Sequence, residues 1–261
     1  MAPGNPSRRT FFKRSIPLIP VAAAAAAGGA VTLATTDHHH LPTVPGPAVN
    51  TALADAARYT PSYFSADEYR FLQAVVARLI PQDDLGPGAL EAGVPEFIDR
   101  QMNTPYAAGS NWYMQGPFQP DAPAEMGYQL KLNVREIYRL GIAAANQWCS
   151  KNLGKHFAEL APDAQDQALA AMEHGAEGFD SLPSATFFSM LWGNTKEGFF
   201  SDPLHGGNKD LVGWKLINFP GARADFMDWI ERDEAYPQPP VSIHGQRAER
   251  WQKHWRKKMW W

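Results

Sequence analysis

Cysteine is almost missing from this chain: Cys149 is the single thiol in 261 residues. One thiol allows no internal disulfide, and it excludes a C-x-x-C-H haem attachment and cysteine-ligated iron–sulfur clusters in this polypeptide. Cys149 therefore reads as a small buried apolar residue on a helix, with a bridge to another chain as the alternative. Nucleotide machinery is missing too. No G-x-G-x-x-G follows a strand and no G-x-x-x-x-G-K-S/T occurs, which leaves a dinucleotide fold or a phosphate loop unsupported. Neither H-E-x-x-H nor G-x-S-x-G is present, and His156, His174, His205, His244 and His254 are scattered rather than spaced as ligands on one helix. No alternating strand pattern of any length and no internal repeat appear. The class expected is all-α, a single irregular helical domain with long loops rich in Gly, Pro and aromatics.

What is present begins at once. "SRRTFFKRS", residues 7–15, resembles the bacterial twin-arginine export signal through Arg8, Arg9, Phe11, Phe12 and Lys13, with Phe12 where that pattern prefers Leu. An Ala-rich apolar run from Ile16 to Ala34 follows. A charged start, an apolar middle and small residues beyond make a processing segment, so residues 1–36 are set apart from the fold. Pro17, Pro20, Gly28 and Gly29 argue against the other reading, an uncleaved spanning anchor. Such a pathway carries folded cargo, and the twin-arginine translocase is the partner it implies.

Charge is divided unevenly. Residues 35–245 hold 14 basic against 26 acidic residues, while residues 246–261 hold six basic and one acidic. An acidic body disfavours nucleic acid, whose phosphates it would repel.

Residues 37–60, with His38, His39 and His40 and many Pro, Gly and Thr, read as a linker. A helical domain over 61–240 opens with Ser65 and Glu68 as a capping box. Phe71, Leu72, Val75, Val76, Leu79 and Ile80 then form one apolar face, which Pro81 ends. Further helices are expected with Pro95 in a first turn, across 124–152 as the longest, from Pro162, along a face of Phe188, Leu191, Thr195 and Phe199, and briefly at "ADFMDWIERDEAY". The irregular stretch from Asn103 to Pro123 is long enough to need a role, and its aromatics need a surface to pack on.

The densest stretch is "EGFFSDPLHGGNKDLVGWKLINFPG", residues 197–221. Asp202 before Pro203 starts a turn, and Gly206, Gly207 and Asn208 tolerate positive φ. Trp214, Lys215 and Phe219 offer the aromatic and cationic mixture that favours interface hot spots. For Trp214, Lys215 and His205 both interface and packing stay open; the glycines and Phe199 read as packing. An enzymatic or metal-binding reading would use Asp202, His205, Asn208 and Asp210, but no second cluster completes such a site.

This stretch resembles the signature of the gluconate 2-dehydrogenase subunit 3 family, approximately G-F-F-x-D-P-x-x-G-G-N-x-x-x-x-G-W-K-x-I-x-F-P-G. "LIPQDDLGPGALEAGVPEFID", residues 79–99, resembles a second, earlier segment of the same family. The resemblance covers residues 60–235. It implies a non-catalytic small (gamma) subunit with no cofactor of its own. The implied partners are an FAD-binding catalytic subunit and a membrane-bound multihaem cytochrome c, so FAD and c-type haem would sit in other chains. It further implies a place in the periplasm, held at the cytoplasmic membrane through the complex. Asp202, His205, Asn208, Trp214, Lys215 and Phe219 would then face the partner. The different-class alternative is a stand-alone exported enzyme or metal-binding protein built on the Asp202–Asp210 loop.

Residues 241–261 form a basic, Trp-rich tail outside the resemblance. Trp251, Trp255 and Met259 lie four apart, with Arg247, Arg250, Lys253, Arg256, Lys257 and Lys258 around them. The first reading is an arm on the acidic surface of the flavin subunit, with Trp251 and Trp255 facing that partner; contact with a membrane surface comes second, and cation–π packing within the chain is the other rival.

Overall fold

A computed structural model describes residues 59–247, apart from positions 113, 120, 127 and 235. Arg8, Arg9, Phe11, Phe12, Trp251 and Trp255 lie outside the described residues. Among the described residues the fold is all-α, with no strand or sheet. Helix α1 spans Ala66–Leu79, α2 Val94–Gln101, α3 Val134–Leu153, α4 Pro162–Glu173, α5 Ser184–Phe200 and α6 Val212–Leu216.

Local chemistry accounts for the helix starts. The Ser65 side chain accepts from the Glu68 N–H while the Glu68 carboxylate accepts from the Ser65 N–H, the reciprocal box expected there. Asn133 and Glu136 form a second box, which starts α3. That box corrects the expected helix over 124–152. Residues 124–126 make only a 3-10 turn, and the long helix waits for a residue that can cap it. Pro95 and Pro162 sit in the first turns of α2 and α4, where their missing N–H costs nothing. A second expectation also fails: "ADFMDWIERDEAY" forms a 3-10 turn at Met227–Trp229 and no α-helix.

Helix α5 is central and touches the other five helices. Its sequence is apolar over more than one face for that reason. Phe187 is fully buried between the rings of Phe71 (6.2 Å) and Tyr138 (6.2 Å). Helix α3 makes room for it at Gly141, where a Cβ would lie 2.2 Å from Phe187 Cδ2. Arg78 of α1 clasps Asp166 of α4 with two hydrogen bonds, of 2.7 and 2.6 Å. In the irregular stretch Trp112 packs against Tyr106 (6.1 Å) and Tyr128 (4.7 Å), and all three lie on the core. Cys149 is buried on α3, and burial pushes its thiol up to about 11.

The chain enters the fold on one carboxylate. Asp99 of α2 is fully buried and accepts from Tyr59 OH (2.6 Å), Ser62 N–H (2.7 Å), Ser62 OH (2.8 Å), Tyr63 N–H (3.1 Å) and Phe64 N–H (3.0 Å). Burial alone would raise its pKa. The bonds from Phe64, Tyr59 and Ser62 outweigh burial and hold it below the ordinary carboxylate value. Burial and the Asp99 charge in turn push the Tyr59 hydroxyl up to about 12.

Candidate functional site

Helix α5 runs out at Phe200, and the signature loop that follows is built on its end. Asp202 is buried, and each of its oxygens takes a backbone N–H: Leu204 at 3.0 Å and Ile243 at 2.8 Å. It thereby starts the 3-10 turn Pro203–His205 and pins a segment some forty residues further on. Gly206 at φ 96° closes that turn. Gly207 then passes so near α5 that a Cβ would sit 2.2 Å from the Gly198 carbonyl oxygen.

Asn208 is the loop's keystone. Wholly buried at φ 47°, it donates to the Ser201 carbonyl (2.8 Å) and accepts from the Gly213 N–H (2.8 Å), closing the loop on itself. Asp210 and Leu211 follow in the left-handed region at φ 56° and 57°, and Asn218 takes it again at φ 56°. Among the described residues these four are the non-glycine residues with positive φ, and all fall within eleven consecutive positions. Left-handed backbone costs about 1–2 kcal/mol at an ordinary residue such as Leu211, so the fold holds this shape against a local preference.

The two matching segments of sequence meet here. The Lys209 N–H donates to the Ala92 carbonyl (3.0 Å), and Lys209 Nζ reaches Glu96 Oε2 at 2.5 Å. Arg100 takes the other oxygen of Glu96, also at 2.5 Å. Glu96 itself is buried, so its charge is held between two cations at the seam of α2 and the loop. Gly93, at φ 77°, leaves the space in which the Lys209 stem lies, 2.6 Å from where a Cβ would be. Residues 79–99 and 197–221 are thus one structural unit.

The far side of the loop is aromatic. The Trp214 indole N–H donates to the Phe200 carbonyl (2.7 Å), and its ring meets Phe219 edge-on at 5.1 Å. Gly221 pairs with Val241 through the bond from the Ala222 N–H to the Val241 carbonyl (2.8 Å), and Val241 also pairs with Arg247. Of the stretch assigned to the tail, residues 241–247 therefore belong with the loop.

The six described residues expected to face a partner divide cleanly. Asp202, Asn208 and Trp214 are buried, and their polar atoms bond to the chain's own backbone. His205 and Phe219 are exposed and Lys215 is half-buried. Of the four residues in the metal-binding alternative, Asp202 accepts two backbone N–H groups and the Asn208 amide is bonded within its own loop. Among the described residues no group of three or more His, Cys, Asp or Glu is placed to hold a metal ion. No described helix is long and apolar enough to cross a membrane.

Beside Phe219 (44% exposed), which the sequence offered as partner-facing, sequence reasoning passed over three exposed apolar residues on this scaffold: Leu204 (44%), Ile217 (56%) and Ile243 (64%). Leu204 and Ile243 hang from the two oxygens of Asp202. Phe219 leads through Pro220 and Gly221 to Val241. It also passed over Glu96 and Asp99, though opposite charges in the two matched segments, Glu96 in one and Lys209 in the other, were a signal that could have paired them.

The family model for gluconate 2-dehydrogenase subunit 3 matches residues 66–221, more than half of the chain. The chain belongs to the gluconate 2-dehydrogenase subunit 3 family. The name describes a subunit, one chain of a dehydrogenase assembly. The match ends at Gly221, where the signature loop closes on Val241. Comparison with curated proteins and with solved structures found no match.

Proposed function

We infer that this chain is a non-catalytic accessory subunit that grips an FAD-binding dehydrogenase subunit and travels with it through the twin-arginine pathway to the periplasm. A multihaem cytochrome c would complete the complex at the membrane. The observation that carries this reading is the loop's division of labour. Asp202, Asn208 and Trp214 lock the backbone, and the locked backbone presents Leu204, Ile217, Phe219 and Ile243 to solvent. Apolar side chains held outward on a rigid scaffold lose little entropy on docking, so their burial goes into affinity. His205 and Lys215 supply a polar rim.

A chain that binds only the folded, flavin-loaded partner stabilises that state by mass action. FAD is inserted in the cytoplasm, and a flavoprotein threaded unfolded would lose it. An address on a docked helical subunit removes the difficulty. The substrate pocket belongs to the partner chain under this reading, so the sugar or sugar acid oxidised is set there.

The test is co-production with an FAD-binding dehydrogenase subunit from the same source. The expected product is a yellow, haem-containing complex, with dehydrogenase activity retained in the cytoplasm when Arg8→Lys and Arg9→Lys are combined. Turnover of a substrate by the isolated chain, free of flavin and haem, would overturn the reading.

A further inference from the structure

After Gly221 the chain makes an excursion that rejoins the fold at Val241. No described residue between them joins the main core, and Met227 and Ile230 are each 70% exposed with Phe226 exposed beside them. The excursion is organised by rings: Tyr236 lies edge-on to Phe226 (5.5 Å) and Trp229 (5.7 Å). Two guanidiniums already use these rings, Arg232 at 4.2 Å over Trp229 and Arg223 at 5.6 Å over Tyr236.

The same residues carry a strong charge. Residues 225–234 hold five acids and one base. Arg232 pairs with Glu234 at 3.5 Å, and among the described residues no ion pair reaches Asp225, Asp228, Glu231 or Asp233. An apolar, aromatic and negative surface asks for an occupant that is apolar, aromatic and positive.

Residues 248–261 have that composition. They hold Trp251, Trp255, Trp260 and Trp261 with five basic residues and one acid. Position adds to composition. Arg247 pairs with Val241, so the tail departs from the point where the excursion begins and ends. The midpoint of the excursion lies ten residues from either root, at most about 36 Å, while fourteen tail residues extend to about 50 Å. Reach does not limit the contact.

We propose that the C-terminal segment 248–261 docks on the exposed 225–234 surface of its own chain, covering Met227 and Ile230 with tryptophan and meeting the acids with lysine and arginine. The contact does not depend on the dehydrogenase reading.

The experiment uses the full chain as a monomer, treated with a zero-length carbodiimide that joins lysine amines to carboxylates. An equal mixture of isotope-labelled and unlabelled chain separates links within a chain from links between chains. Links within a chain from Lys253, Lys257 or Lys258 to Asp225, Asp228, Glu231, Asp233 or Glu234 are expected. Their yield should fall at least about fivefold in 1 M NaCl, where the Debye length is about 3 Å. Asp228→Lys with Glu231→Lys should reduce them similarly, and adding Arg256→Glu with Lys257→Glu should restore linkage between the swapped positions. Links scattered over the acidic body would overturn the proposal. So would links only between chains, or a tail captured only when the flavoprotein or anionic vesicles are added.

Discussion

Phe187 and Met227 are both large and apolar, yet one is fully buried between two rings and the other stands 70% in solvent. They represent two regions built differently. From Ala66 to Phe200 the chain forms helices whose apolar faces close on α5, and capping boxes start two of them, α1 and α3. From Asp202 to Arg247 it holds left-handed residues, short 3-10 turns and two isolated pairings, and seven of its large apolar side chains are exposed. The first region gains stability from its own burial. The second spends buried hydrogen bonds on shape and leaves apolar surface for something else to cover. The comparison teaches that this fold is a support and its C-terminal quarter the part that leaves apolar surface exposed.

The comparison can be broken at its strongest point first. Asp99→Ala would strand the donors that fasten residues 59–64, at about 1–3 kcal/mol for each buried unsatisfied group, and should lower the unfolding free energy by about 3 kcal/mol or more in denaturant titration. The same carboxylate carries a pH signature. Its folded pKa is depressed, so its contribution is complete above the unfolded value of about 3.9 and is lost as pH falls through the folded one. Acid unfolding of Asp99→Asn should accordingly be shallower than that of the parent below pH 4.

Asn208→Ala comes next. It removes both bonds that close the loop and puts alanine at φ 47°, so a loss of about 2 kcal/mol is expected, with faster hydrogen exchange centred on the Gly213 amide. Exchange rising equally across α1 and α3 would show that loop and bundle are one unit after all.

The smallest effect on stability sharpens the contrast most. Leu204→Ser, Ile217→Ser, Phe219→Ser and Ile243→Ser together should change unfolding by no more than about 1 kcal/mol, because these side chains are 44–64% exposed. Capture of the flavoprotein should drop at least tenfold. Unchanged capture would remove these residues from the interface.

Much of the bundle was legible before the structure. Ser65 with Glu68, Pro95, Pro162 and the Phe188–Phe199 face are local patterns, and local patterns are what a sequence displays. The expected helix over 124–152 begins too early because the deciding feature, Asn133 with Glu136, lies inside that run. "ADFMDWIERDEAY" has helical spacing but no core to pack on, and an amphipathic face stabilises a helix only when something buries it. At the candidate site, Asp202 and the glycines showed that a turn was coming, not which side chains would face inward.

By itself the sequence determined the class, most helix starts, the family and the division of charge between body and tail, since each depends on neighbours a few residues apart or on composition. Only the tertiary structure decided that residues 79–99 and 197–221 are one unit joined by Glu96 and Lys209, that Asp202, Asn208 and Trp214 point inward, and that Leu204, Ile217, Phe219 and Ile243 point out. Those outcomes turn on contacts between residues far apart in the chain, and burial is a property of where the rest of the molecule lies.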